Sequence, residues 1–273
     1  MENQIILNNM LFDVEKVNFA ETFGMAANSD YSHAIIGNIK GENKVLNVCS
    51  DRYELVKNAE IFPQIRQILN DAGLKFSEQY RMVNHARFYA DYVVESESTH
   101  IGAKNDIVKP LIRVRHSYNG LTKYAITFGY FRLICDNGLV VPIESKKATN
   151  LHIVGKHTIS IRTSLDMLIQ RLENFTINQS FYKQNFDILG GQWVENPLQR
   201  ITEVLEYAKI PEKKAALVLE TVNRESAQLY DGKVNDWLIY NGVNQLIHKG
   251  DNKKVLEQRE IYDYKAIEYL LKH

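Results

Sequence analysis

The chain has 273 residues, of which 45% are hydrophobic and 24% charged, so it carries enough apolar side chain to bury a core in one large domain or two modest ones. Its 33 basic and 33 acidic residues cancel, which excludes a uniformly basic nucleic-acid coat. The longest apolar runs fall far short of the ~20 residues of a membrane span, and the opening residues lack the charged region and long apolar stretch of a signal peptide. A reducing, cytosolic setting with no membrane contact is therefore expected. Cys49 and Cys135 fit it as small buried hydrophobes, without a disulfide framework or metal-ligand spacing.

In chain order, residues 34–39 and 45–56 read as strands around the turn signal Gly41-Glu42-Asn43. Residues 59–72 then place Ile61, Ile65, Ile68 and Leu69 at helical spacing, with Pro63 in the first turn and Gly73 after the end. Residues 81–95 read as a strand and 97–106 as a polar loop. Residues 111–118 and 122–135 read as two strands joined at Asn119-Gly120. That pair supplies both positive-φ residues of a type I′ turn, and Asp136-Asn137-Gly138 signals a second turn. Residues 157–161 suggest a last edge strand. Beyond them the period changes to 3.6. Thr163 and Asp166 resemble a capping box ahead of Leu165, Leu168, Ile169, Leu172 and Phe175, and Gly190-Gly191 breaks the pattern. Asn196-Pro197 opens a helix through Ile201, Leu205 and Ala208, and Pro211 opens another with Ala215, Leu219 and Val222. Asn235 or Asp236 caps residues 237–248, Gly250 stops them, and Ile261, Tyr264, Ile267 and Leu271 mark a terminal amphipathic stretch. The expected fold is α+β: an antiparallel sheet domain with one early helix over residues 1–160, followed by a helical C-terminal region, 161–273, packed on it.

Charge is uneven along this order. Residues 1–100 carry 9 basic and 14 acidic side chains, residues 101–150 carry 8 and 3, and the remainder carries 16 of each. In the basic segment Arg113, Arg115, Lys123 and Arg132 interleave with Tyr118, Tyr124, Phe128, Tyr130 and Phe131. Strand alternation gives Arg113 and Arg115 one parity against Ile112 and Val114, and sets Lys123 opposite Tyr124, Ile126 and Phe128. Arg113, Arg115, Lys123 and Arg132 are thus the expected exposed cations. Exposed in this way, the cations would contact phosphates, while Tyr118 and Tyr130 would stack on bases. The competing reading is an ordinary solvated sheet face.

Some residues also resemble a known family. The run Ser50-Asp51-Arg52-Tyr53-Glu54-Leu55-Val56-Lys57-Asn58 is similar to a signature of the phage/plasmid-like family of unknown function, found in bacteriophages, plasmids and prophage islands. So are Ser117-Tyr118-Asn119-Gly120, the run from Phe131 to Gly138, His157-Thr158, and the run from Asp236 to Asn241 with His248. Asp136 departs from the serine or similar residue expected there. The resemblance spans about residues 50–248. It implies a mobile-element origin, hence a bacterial host cell, and no established activity. A weaker analogy, of fold only, is to phage single-strand annealing proteins.

Asp51 and Arg52 form a possible anion or partner contact, against the plainer reading of a turn closed by side-chain hydrogen bonds. His116, His152 and His157 have no metal-ligand spacing, and neither a phosphate-binding Gly-rich loop nor a nucleophile elbow is present. No cofactor, metal or catalytic residue is assigned. Trp237, Tyr240, Leu246 and Ile247 suit core packing better than a partner stripe, and Asn241 and His248 are read as contacts that fix helix register. The leading expectation is a non-enzymatic nucleic-acid-binding protein of a mobile element, handling or annealing single strands, in which homo-oligomers are possible. The rival is a protein-binding module that redirects a host factor or joins a phage assembly. It predicts an exposed apolar patch without a basic groove.

Overall fold

The computed structural model describes residues 2–24, 30–95, 99–100, 106–122, 124–132, 137–139, 152–155, 166, 168–170, 172, 179–249 and 256–273. Two antiparallel sheets are followed by a helical C-terminal region, so the fold is α+β. The chain divides into two compact units that interleave along the sequence. One comprises Met1–Val94, Ile112–Thr127 and Leu151–Glu173, and the other Glu95–Leu111, Phe128–Asn150 and Asn174–His273.

The first unit opens with helix α1 (Glu2–Met10), strand β1 (Val14–Asn18), helix α2 (Phe19–Phe23), and strands β2 (His33–Ile39) and β3 (Glu42–Cys49). The three strands form an antiparallel sheet in the order β1-β2-β3. Ile39 pairs with Glu42 across Lys40 and Gly41, whose φ values of 55° and 85° make the two-residue turn that suits strand twist. Gly37 on β2 is required by close packing, since a Cβ there would lie 2.7 Å from the Phe12 ring and 2.8 Å from Leu46. Helix α3 (Asn58–Asp71) buries Ile61, Phe62, Ile65 and Leu69, the expected stripe. It starts early enough that Pro63 lies inside the helix rather than in its first turn.

Residues 81–95 prove to be parts of a hairpin. β4 (Phe76–Val83) and β5 (Arg87–Val94) pair around Asn84 and His85, both at positive φ. They belong to a sheet of order β10-β8-β7-β5-β4, made with β7 (Ile107–Ser117), β8 (Tyr124–Arg132) and β10 (His152–Gly155). Two short strands, β6 (Thr99–His100) and β9 (Asn137–Leu139), add to β7 and β8. Residues 157–161, Thr163 and Asp136 lie outside the described residues.

The turn after β7 departs from expectation. Gly120 has φ 70°, but Asn119 is not in the left-handed region, and the strands end at Ser117 and resume at Tyr124. The Ser117 hydroxyl closes this longer loop, accepting from Thr122 N at 2.8 Å and donating to Thr122 O at 3.0 Å. The cause is tertiary. Tyr118 leaves the ladder because its N–H donates to Ala86 O at 2.8 Å and its hydroxyl accepts from Asn58 N at 3.0 Å.

In the second unit α4 (Gln179–Gly191) ends at Gly190-Gly191, where the helical pattern was expected to break. Helix α5 (Pro197–Tyr207) has the expected start, with Asn196 accepting from Gln199 N and proline in the first turn. A 3-10 turn, Glu212–Lys214, leads into α6 (Ala215–Leu229). Asn235 caps α7 (Asp236–Lys249) through Leu238 N at 3.0 Å, and α8 (Leu256–Lys272) ends the chain. Trp237, Leu238, Ile239, Tyr240 and Val243 are all buried, so the start of α7 is surrounded by protein. A Cβ at Gly242 would lie 2.8 Å from Val222 and 3.3 Å from the Val218 carbonyl, which shows how closely α6 and α7 pack.

Candidate functional site

The basic-aromatic strands are not an exposed face. Every described residue of β8 is buried, and so is most of β7, because both faces of these strands are covered. Arg113 is 5% exposed and clasps Asp91 through two bonds of 2.7 and 2.6 Å. Arg115 is 3% exposed and Arg132 fully buried. Tyr118 is 1% exposed, and Tyr130, also buried, packs edge-on against Phe186 at 5.0 Å. Lys123 lies outside the described residues. The expectation of exposed cations and stacking rings at Arg113, Arg115, Tyr118, Tyr130 and Arg132 is therefore corrected. Alternation assigns side chains to two faces, but it does not say that one face meets water.

Asp51 and Arg52 are exposed, as a surface contact requires. Asp51 lies 3.9 Å from Lys16 Nζ and 3.8 Å from His33 Nε2. Lys16 also donates to the carbonyls of Asp51 and Tyr53, at 2.5 and 3.1 Å. Nothing in the sequence marked Lys16 as the neighbour of this turn.

Within the first unit the structure joins the runs around Asp51 and Tyr118. Asn58 is their hub. Its Nδ2 donates to Met10 O at 2.8 Å, its Oδ1 meets His116 Nε2 at 2.5 Å, and its N–H donates to Tyr118 Oη. Tyr53 donates to Ser117 O at 3.3 Å. Burial pushes the phenols of Tyr53 and Tyr118 well above the ordinary tyrosine range. A cleft of about 380 Å³ near the start of α3 is walled by Phe12, Asp13, Glu15, Asn38, Asn43 and Lys57. Asn38 and Asn43 bond each other there at 3.0 Å.

The second unit holds a buried ionic network. Arg132 donates to both oxygens of Asp106 at 2.7 Å and to Glu225 at 2.5 Å. Asp106 Oδ2 also accepts from Tyr230 at 3.0 Å and Trp237 Nε1 at 2.8 Å, and the Trp237 ring lies 5.6 Å from the guanidinium carbon. Asp236 is occupied by Arg200 through bonds of 3.0 and 2.7 Å. The polar residues of α7 form a further group. Asn241 Nδ2 donates to Trp237 O at 2.7 Å, Asn244 Nδ2 donates to Asp263 Oδ1 at 2.8 Å, and His248 Nε2 lies 3.8 Å from Asp263 Oδ2. Among the described residues, no three His, Cys, Asp or Glu side chains are grouped as metal ligands.

A family described as Domain of unknown function (DUF932) matches residues 45–267, most of the chain. The chain belongs to this family. The DUF932 match begins within β3, so β1, β2 and the Met10 carbonyl bound by Asn58 precede it, while the whole Arg132 network falls inside it. No curated protein and no solved structure matches the chain. No helix of the described residues is long and apolar enough to cross a membrane.

Proposed function

We propose that this DUF932 protein is a non-enzymatic protein-binding module of a mobile genetic element, and that β3 receives an extended segment of its partner. The observation that carries this reading is the character of β3. It ends the order β1-β2-β3, and it exposes Val45 by 58% and Val48 by 43%. Leu121, 61% exposed, belongs to the loop whose Gly120 approaches Asn47 of the same strand. Edge strands are ordinarily blunted by charge, proline or cover, because their free backbone groups invite pairing. On β3 the charges Lys44 and Glu42 lie 3.1 Å apart and offset each other, and the ladder with β2 shifts register between Val45 and Asn47, so the exposed edge is short and apolar at the two valines. Strand addition would draw affinity from the backbone and selectivity from the flanking valines. The mobile-element setting is supported by the phage/plasmid-like motifs between residues 50 and 248.

The test compares wild type with Val45→Lys and Val48→Lys in affinity capture from bacterial host extract, followed by titration of each purified candidate. Both positions are exposed, so melting should change by no more than about 0.5 kcal/mol. Supporting the reading, a purified partner would bind wild type and lose at least tenfold affinity for either variant. Equal affinity across the three proteins would remove β3 as the docking strand. A concentration-dependent dimer abolished by Val45→Lys would make a second copy the occupant. Salt-sensitive binding of wild type to single-stranded nucleic acid, with a slope of about 0.7 per phosphate contact, would favour the nucleic-acid reading.

A further inference from the structure

We infer that Asn244, His248 and Asp263 bind one divalent first-row metal ion. The starting point is an imbalance of donors and acceptors between α7 and α8. Asn241 Oδ1, Asn244 Oδ1, Asp263 Oδ2 and His248 Nε2 are all buried and have no hydrogen-bond partner among the described residues. Buried polar atoms are nearly always paired, so these four call for a physical explanation, and those of Asn244, His248 and Asp263 belong to residues in direct contact. Three of the atoms are oxygens that can only accept, and the fourth is an imidazole nitrogen able to present a lone pair. Such a set is answered by a cation.

The placement follows from the helix. Asn241, Asn244 and His248 stand at intervals of three and four residues on α7, along one face. Asp263, fully buried, stands opposite on α8. Asn244 fixes the carboxylate by donating to its Oδ1, which leaves Oδ2 toward His248. The 3.8 Å between Oδ2 and Nε2 is too long for a hydrogen bond. It is also shorter than two metal–ligand bonds of ~2.1 Å placed end to end, so one ion reaches both atoms. Arg259 donates to the His248 carbonyl at 3.2 Å. The His248 side chain is 11% exposed and forms the edge of the group nearest solvent. One imidazole, one carboxylate and one amide oxygen suit Mn²⁺ or Zn²⁺, with water completing the shell. This site is independent of the docking strand, which belongs to the other unit.

The experiment titrates metal-stripped protein with Mn²⁺ and follows the electron paramagnetic resonance of the free ion, with Zn²⁺ as competitor. One Mn²⁺ per chain should bind and be displaced by Zn²⁺, and the melting temperature should rise with either metal. His248→Gln and Asp263→Asn should each weaken binding at least tenfold and abolish the rise in melting temperature. If Asp263→Asn fails to fold, His248→Gln decides, because its side chain reaches the edge of the group. No binding by wild type overturns the inference, and so does equal binding by a folded variant.

Discussion

Arg132 shows how much a single buried charge depends on its partners. A guanidinium without solvent contact is tolerable only when paired and hydrogen-bonded. Asp106 meets that need with two bonds and also accepts from Tyr230 and Trp237. Asp106→Ala would remove the acceptor shared by one guanidinium edge, a phenol and an indole N–H. The expected loss is about 3–5 kcal/mol, the range for breaking a buried pair, measured by urea unfolding against wild type. A loss below ~1 kcal/mol would mean that the network relaxes or hydrates. From the sequence Arg132 is legible as a cation in a strand, but its partners are not. Asp106 lies 26 residues away and Glu225 lies 93 away, and no local pattern relates carboxylates at such separations to an arginine. Arg113 makes the same point with Asp91, a residue on a neighbouring element of the hairpin sequence read as a single strand.

At the scale of elements, close approach of α6 and α7 rests on Gly242. A leucine there would collide with Val222 and with the Val218 backbone, which yields less than a side chain does. Gly242→Leu should cost about 1–3 kcal/mol by overpacking, seen as a lower denaturation midpoint, whereas an unchanged midpoint would show that the helices separate freely. The helices were the most legible elements, because capping and 3.6-residue stripes are local signals. Asn196-Pro197 and Asn235 begin their helices as expected. The Asn119-Gly120 turn was less legible. Its dipeptide favours a tight hairpin, yet the contacts of Tyr118 with Ala86 and Asn58 hold a longer loop. The helix α1, near the N-terminus, carries too weak a stripe to announce itself, and it is tied down by Asn3, which bonds the backbone of Glu78 and Tyr80.

For the molecule as a whole, buried phenols are expected to lower stability at alkaline pH. Tyr80 is pushed up to about 12, first by burial and then by its bond to Glu78. Tyr53, Tyr92 and Tyr118 are shifted further in the same direction, chiefly by burial. Each phenol is neutral in the fold and ionises near pH ~10 once unfolded. Their contribution is therefore complete below pH ~10 and is lost as pH rises through the folded values. Thermal melts should hold steady from pH 8 to about 10 and fall steeply toward pH 12. Stability that stays level to pH 12 would mean that these phenols are hydrated.

The sequence by itself determined the α+β class, the passage from strands to helices, several helix starts and membership of a family of unknown function. Those properties follow from local backbone preferences and side-chain period, which neighbouring residues settle among themselves. Only the tertiary structure decided which strand faces are covered, which carboxylates neutralise Arg113 and Arg132, and that β3 exposes its valines. Burial and charge pairing depend on what the rest of the chain places against a residue, and a desolvated arginine has the same local sequence pattern as a solvated one.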